Sequence, residues 1–266
     1  MRSGSTLQYQ LTQTLVEKLG KGKGYGWLPS IQDKEALMQR ATETDQETYY
    51  VVKIHGHNLS FSDLIQADKG RAIYVYRDIR DVVTSFMSWR NTSFESIIRQ
   101  KWIEKVIKDS HNWESLSKIH TSKYESLMSD IPNEVLRIAD HIGLPINLEL
   151  AQEIADECSI DRKKKEIASM KGKQQKVDSQ NILHQNHINS GKSRQWLKKL
   201  SNSKIAHIEQ KAHKWLEDHD YEIAFANPMQ RQILASQCSL NLFFSDTVFN
   251  AKRTKGNIDK YLGWVE

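Results

Sequence analysis

Hydrophobic and polar positions along the chain follow two different rhythms. Leu7, Leu11, Leu15 and Leu19 recur at every fourth place and Gly20 follows them, which predicts a helix with one buried stripe and a glycine stop. Residues 49–54 and 72–76 are short runs of β-branched and aromatic side chains, and they predict two buried strands. Between the helix and the first strand, residues 21–26 carry glycines at 22, 24 and 26 and predict a mobile loop. Each strand is followed by polar residues and then by a helical pattern. That alternation predicts an α/β fold of three layers, with a parallel central sheet flanked by helices and a helix-rich C-terminal half.

Further along, Ile97, Ile98, Trp102, Val106 and Trp113 lie mostly at helical spacing, so residues 94–119 should form one long helix or a broken pair, with both tryptophans in the core. Pro132 suits a first helical turn, Gly143 a helix stop and Asn147 a new N-cap. Ile205, Ile208, Ala212, Trp215 and Leu216 mark another amphipathic helix. The expected organisation is one domain over residues 1–226 and a C-terminal extension over 227–266. Phe243, Phe244, Phe249, Tyr261 and Trp264 make that extension too apolar for a free tail, so it should pack on the same domain or on a partner.

Composition narrows the function classes. With 38 Lys and Arg against 33 Asp and Glu, the 266-residue chain carries a formal charge of +5, which suits anionic ligands but falls short of a nucleic-acid arm. Lys163, Lys164, Lys165, Lys171, Lys173 and Lys176 form a basic run without interleaved aromatics, read as a solvated helix or loop, or as a lid over an anion. Cys158 and Cys238 form no C-x-x-C, so neither a disulfide framework nor a zinc knuckle is indicated and a cytoplasmic setting is expected. No apolar run approaches the roughly 18 residues of a membrane span.

Candidate chemistry gathers at the predicted strand ends, where ligands collect in parallel sheets. Arg2, Ser3, Gly4, Ser5 and Thr6 stand directly before the first helix. Backbone N–H groups and the helix dipole favour an anion there, although the same residues also make a plain N-cap. The run lacks the G-x-x-x-x-G-K-[ST] pattern of nucleotide triphosphatases. Lys53 and His55 close one strand, and Arg77 follows the other with Ser85 eight residues on.

In this order and spacing the chain resembles the sulfotransferases that use 3′-phosphoadenosine 5′-phosphosulfate (PAPS), from residue 1 to about 225, with a pattern closer to bacterial members than to the animal cytosolic branch. RSGST at 2–6 resembles the family's 5′-phosphosulfate loop, and VVKIH at 51–55 resembles the segment with a lysine and the catalytic histidine two residues apart. YVYRDIRDVVTS at 74–85 resembles the 3′-phosphate segment, YES at 124–126 the stretch where a tyrosine lies near the nucleotide, and HINSGKSRQW at 187–196 the late loop on the 3′-phosphate side.

The resemblance implies catalytic roles for His55, Lys53 and Arg2, and co-substrate contacts from Arg2, Ser3, Gly4, Ser5, Thr6, Arg77, Ser85, Tyr124, Asn189, Ser190 and Gly191. His55 would be the general base, because an imidazole titrates near neutral pH. His57 shares its face if the strand continues to it, and the resemblance selects His55. Arg77 could instead pair with Asp78 or Asp81. The implied reaction moves a sulfuryl group to a hydroxyl or amine of a small-molecule, glycan or lipid acceptor. It needs PAPS as co-substrate, no metal and no nucleic-acid partner, and it allows a homo-oligomer. Tyr25, Trp27, Trp89 and Phe94 are candidates for the acceptor side.

Two departures stand out. The late loop reads Asn189, Ser190, Gly191 where animal cytosolic members carry Arg-Lys-Gly, so Lys192, Arg194 or the preceding basic stretch would supply the charge. Family members also carry a buried strand before the first loop, and here Met1 stands in the place of its proline. The expectation is a sheet lacking that central strand, from a misassigned or truncated start. The alternatives are a non-catalytic nucleotide-binding homologue and a metal-dependent hydrolase built on His55, His57, His184 and His187.

Overall fold

The computed structural model describes residues 3–28, 35–37, 39, 48–169 and 191–243. They belong to two compact units, one drawn from 1–77, 88–91 and 105–193 and the other from 78–87, 92–104 and 194–266.

The first unit is an α/β structure of parallel strands flanked by helices. Strand β1 (Gly22–Trp27) pairs in parallel with β2 (Tyr49–Lys53), and β3 (Ala72–Tyr76) pairs in parallel with β4 (Ile119–Lys123). The two pairs do not join into one ladder among the described residues. Side chains alternate across β3, as a period of two requires. Ile73 packs into a cluster made by Leu11, Leu15 and Val16 of α1 (Ser5–Lys18), Val135 and Ile138 of α7 (Ile131–His141) and Ile154 of α8 (Leu148–Glu157). Ala72 and Tyr74 join Ile65 of α2 (Leu59–Gln66) and Trp113 of α5 (Trp102–Glu114) instead. Helices therefore cover both faces of β3, which is why residues 72–76 read as a continuous apolar run.

Residues 22–27 form a strand, not the mobile loop that their glycines predict. Gly22 and Gly24 are required by close packing, and Gly26 by its φ of 73°. A Cβ on Gly24 would lie 2.5 Å from Gln13 Cδ and from the Tyr9 hydroxyl, and one on Gly22 would lie 2.1 Å from the Tyr49 carbonyl oxygen. Helix α1 thus presses directly on β1 and completes its backbone hydrogen bonding. The Gly26 N–H donates to the Tyr9 hydroxyl at 2.7 Å and the Gly24 N–H to Glu17 Oε1 at 3.1 Å.

Several local signals match the structure. The Asn147 side chain accepts the Leu150 N–H at the start of α8, Pro132 occupies the first turn of α7, and Gly143 adopts φ 75° after it. The 94–119 segment is a broken pair, α4 (Phe94–Arg99) and α5, parted at Lys101 with φ 50°. Tyr124 opens the short α6 (Tyr124–Ser129), and the basic run begins in α9 (Ile160–Ser169) and continues outside the described residues.

A buried polar cluster lies beneath β4. Glu134 is fully buried and receives Arg137 through two nitrogens, His120 Nε2 at 3.0 Å and the Ser122 hydroxyl. Burial pushes its carboxyl up, but the hydrogen bonds from His120, Ser122 and Arg137 outweigh that and hold it at about 2.

The second unit contains the start of α3 (Ile79–Arg90), α4, α10 (Trp196–Lys199), α11 (Asn202–Asp218) and a helix over 228–243. Its centre is Arg80, 1% exposed, held by Asp78 through two nitrogens and by Glu209, with its guanidinium 4.0 Å from the Trp196 ring. Asp81 accepts the N–H groups of Arg194 at 2.7 Å and Trp196 at 3.1 Å. In the 228–243 helix, Ala235 and Cys238 are buried, and the Ser239 hydroxyl lies 3.5 Å from His207 Nδ1 of α11. Residues 244–266 lie outside the described residues.

Two outcomes follow. Gly24→Ala should destabilise the protein by about 1–3 kcal/mol through overpacking, read as a lower denaturant midpoint. Glu134 has a lowered folded-state pKa, so its contribution is complete above its ordinary value near 4.5 and fades as pH falls through about 2. Denaturant titrations from pH 5 to 2 should therefore show about 3 kcal/mol lost, and Glu134→Gln should flatten that part of the profile.

Candidate active site

The parallel register brings the carboxyl ends of the strands to the start of α1. Trp27 and Lys53 are register partners at the ends of β1 and β2, and Tyr76 and Lys123 are the last partners of β3 and β4. Arg77 and Tyr124 each come one residue later, so the ladder itself makes them neighbours. The Arg77 guanidinium lies 4.3 Å from the Tyr124 ring centre.

Gly4 begins α1 with φ 96°, a left-handed conformation that glycine adopts without penalty. It packs flush on Tyr124, since a Cβ there would lie 2.6 Å from Tyr124 Cδ2. Gly4 offers no side chain to cap the helix, and the first turn carries no acidic residue. The positive end of the helix dipole is consequently not neutralised from within that turn. Ser3 is buried beside it, and Ser5 and Thr6 open the helix. Lys53 is 5% exposed and donates from Nζ to Thr6 Oγ1 at 2.5 Å. Tyr124 also donates to the Gly191 carbonyl at 3.1 Å, and Arg77 donates to the Lys192 carbonyl at 2.8 Å.

Gly4, Thr6, Lys53, Arg77, Tyr124 and Gly191 are thus linked through one set of contacts. Arg2, Asn189 and Ser190 lie outside the described residues, as do His184 and His187. Ser85 lies in α3, within the second unit. Asp78 engages Arg80 and Asp81 engages the 194–196 backbone, which supplies a structural role for the two acids that follow Arg77.

The two histidines differ in surroundings. Both lie beyond β2, with Gly56 at φ 73° between them, so the strand-face argument that would align them does not apply. His57 is fixed in place: Nε2 lies 2.8 Å from the Ser62 hydroxyl, its N–H donates to Asp109 and its ring meets Trp113 edge-on at 5.2 Å. His55 is exposed, with its ring 5.8 Å from that of Trp27, itself 49% exposed. Among the acceptor-side candidates, Phe94 is fully buried and serves as core. Asp109 and Gln8 were not singled out by sequence. A glutamine inside a leucine-striped helix carries no pattern of its own, and Asp109 gains its place only from the tertiary fold. No group of three or more His, Cys, Asp or Glu is placed to hold a metal among the described residues.

The family model for the sulfotransferase domain matches residues 3–220. The chain belongs to the sulfotransferase family. Solved structures similar to this sulfotransferase include retinol dehydratase with androsterone and the inactive cofactor PAP, at 19% identity and a TM-score of 0.55, covering 86% of this chain and 80% of that one. Retinol dehydratase with retinol and PAP matches at 19% identity and a TM-score of 0.58, covering 82% and 79%. Mouse sulfotransferase SULT7A1 complexed with PAP matches at 14% identity and a TM-score of 0.58, covering 88% and 84%. At these identities the likeness is one of fold. No curated protein matches the chain. No described helix is long and apolar enough to cross a membrane.

Gly4→Ala should cost about 1–3 kcal/mol of stability, because the new Cβ meets the Tyr124 ring and the φ is unfavourable. Gly20→Ala, at φ 64° with nothing within 4 Å, should cost only the backbone share, about 1 kcal/mol. Paired urea titrations distinguish them.

Proposed function

We propose that this sulfotransferase moves the sulfuryl group of PAPS to an acceptor hydroxyl, with His55 as general base. The observation that carries the reading is the meeting of Gly4, Lys53, Arg77 and Tyr124 at the start of α1. The residues fit the co-substrate. Gly4 seats the helix start flush on Tyr124, no side-chain cap or acidic residue occupies that first turn, and a buried lysine stands beside it, a setting that suits a phosphosulfate.

Bound PAPS supplies an activated sulfuryl group. Lys53 places a cation beside the loop, which opposes negative charge on the transferred group and the leaving phosphate. Arg77 offers a planar fork to a phosphate from beside the Tyr124 ring, and the family resemblance extends this set to Arg2, Ser85, Asn189 and Ser190. His55 takes the proton of the acceptor hydroxyl. Its exposure and the half-exposed Trp27 next to it support an acceptor that approaches from the β1–β2 end, a small molecule with an apolar or ring-bearing body. The product nucleotide would be 3′-phosphoadenosine 5′-phosphate (PAP).

His55→Ala should lower kcat by about 10²–10⁴-fold while leaving PAP affinity within twofold. Lys53→Ala should weaken both. Labelled PAPS screened against a panel of hydroxyl acceptors provides the assay, and calorimetry with PAP provides the affinity. Full turnover by the His55 variant would move the base elsewhere, and absence of PAP binding by the wild type would overturn the reading.

A further inference from the structure

Gln8 is 3% exposed, and no catalytic role above uses it. Its Nε2 donates to the Ser122 hydroxyl at 2.9 Å and reaches the Tyr74 carbonyl at 3.4 Å. Ser122 in turn donates its single proton to Glu134, leaving a lone pair for Gln8. Glu134 stays ionised because its carboxyl is held at about 2, so the direction of this relay is fixed across ordinary pH.

The relay lies in step with the anion loop. Gly4 and Gln8 are one helical turn apart in α1, joined by the Gln8 N–H to Gly4 carbonyl bond at 3.2 Å. Ser122 lies in β4, and Tyr124, two residues on, is the first residue past the end of that strand. Four residues of helix advance about 6 Å and two residues of strand about 6.6 Å. Gly4 on Tyr124 and Gln8 on Ser122 are therefore two rungs of one ladder between α1 and β4. The first rung is steric and can be satisfied by sliding. The second is directional, a hydrogen bond in a buried setting where a lost partner is costly.

We propose that Gln8 is a positioning residue for the anion loop, its bond to Ser122 setting the height of α1 along β4 and hence the seat of Gly4, Ser5 and Thr6 against Tyr124. This rests on the loop being the co-substrate site argued above.

Gln8→Met keeps the unbranched shape and removes the donor. One Hα of Gly4 faces the Tyr124 ring, so its proton shift carries a ring-current displacement that reads the seat directly, without ligand. In the folded variant that displacement should fall by about half or more, and PAP Kd should rise about tenfold, the effect of one lost buried hydrogen bond. A displacement kept within about a tenth, or a Kd within twofold of wild type, overturns the proposal. Should wild-type protein bind no PAP, the functional reading fails, and the Gly4 shift alone then decides the positioning role. If Gln8→Met does not fold, Ser122→Ala, which removes the acceptor of Gln8 together with the donor to Glu134, is read by the same two measurements. Loss of fold in both variants would make Gln8 a stability residue and overturn the proposal.

Discussion

The arrangement depends on a helix that is buried all round through its middle, residues 8–13. Helix α1 hides Gln8, Gln10, Thr12 and Gln13 as well as Leu11, Leu15 and Val16, so its polar side chains must find partners inside the unit. Several of the partners are strand backbone groups. Tyr9 and Glu17 receive N–H groups of β1, and Gln8 reaches a carbonyl of β3. One helix thereby serves both strand pairs, which do not hydrogen-bond to each other among the described residues. A buried backbone group without a partner costs about 1–3 kcal/mol, so few other sequences for α1 would satisfy both pairs together. Since the proposed anion loop leads into the first turn of this helix, the packing of α1 on both strand pairs also sets that loop.

Sequence periodicity saw only half of this. The leucine stripe marks the face of α1 that meets α7 and α8, and the opposite face is polar by composition although buried in fact. The same blindness explains β1. Glycines at 22, 24 and 26 read locally as conformational freedom, which Gly26 uses at φ 73°, but Gly22 and Gly24 are needed because the Tyr49 backbone, Gln13 and Tyr9 come within a Cβ's reach. Nothing local encodes that approach. By contrast Asn147, Pro132 and Gly143 were legible, because a cap or stop is decided within one helical turn. Arg80 was invisible for the opposite reason: its partner Glu209 lies 129 residues away.

The candidate site was legible as a set of spacings, and those spacings have a structural meaning. Lys53 closes β2 and Arg77 follows β3, so each is where a parallel ladder delivers its next residue. Tyr124 was readable only as one aromatic near the nucleotide. Its ring proves to be the surface on which Gly4 and Arg77 meet, with its hydroxyl on the Gly191 carbonyl. Such a role cannot be inferred from residue type, because an aromatic at a strand end packs in the same way with or without a ligand nearby. The choice between His55 and His57 was open on spacing alone. Their environments separate them, since Ser62, Asp109 and Trp113 fix the second and leave the first exposed beside Trp27.

Two strand pairs also divide the chemistry. The β1–β2 end presents Trp27, Lys53 and His55, an apolar surface with a cation and an imidazole, the proposed base, whereas the β3–β4 end presents Arg77 and Tyr124, a fork stacked on a ring. Proton removal from an acceptor and recognition of a phosphate make opposite demands. The first needs an exposed imidazole that an incoming hydroxyl can reach, and the second needs a held guanidinium. Placing them on separate pairs lets each be tuned without disturbing the other. Lys53 is the exception, because its bond to Thr6 ties the β2 end to the anion loop. In the proposed reaction that is the position where charge moves from the transferred group to the leaving phosphate, and a group serving both ends belongs there.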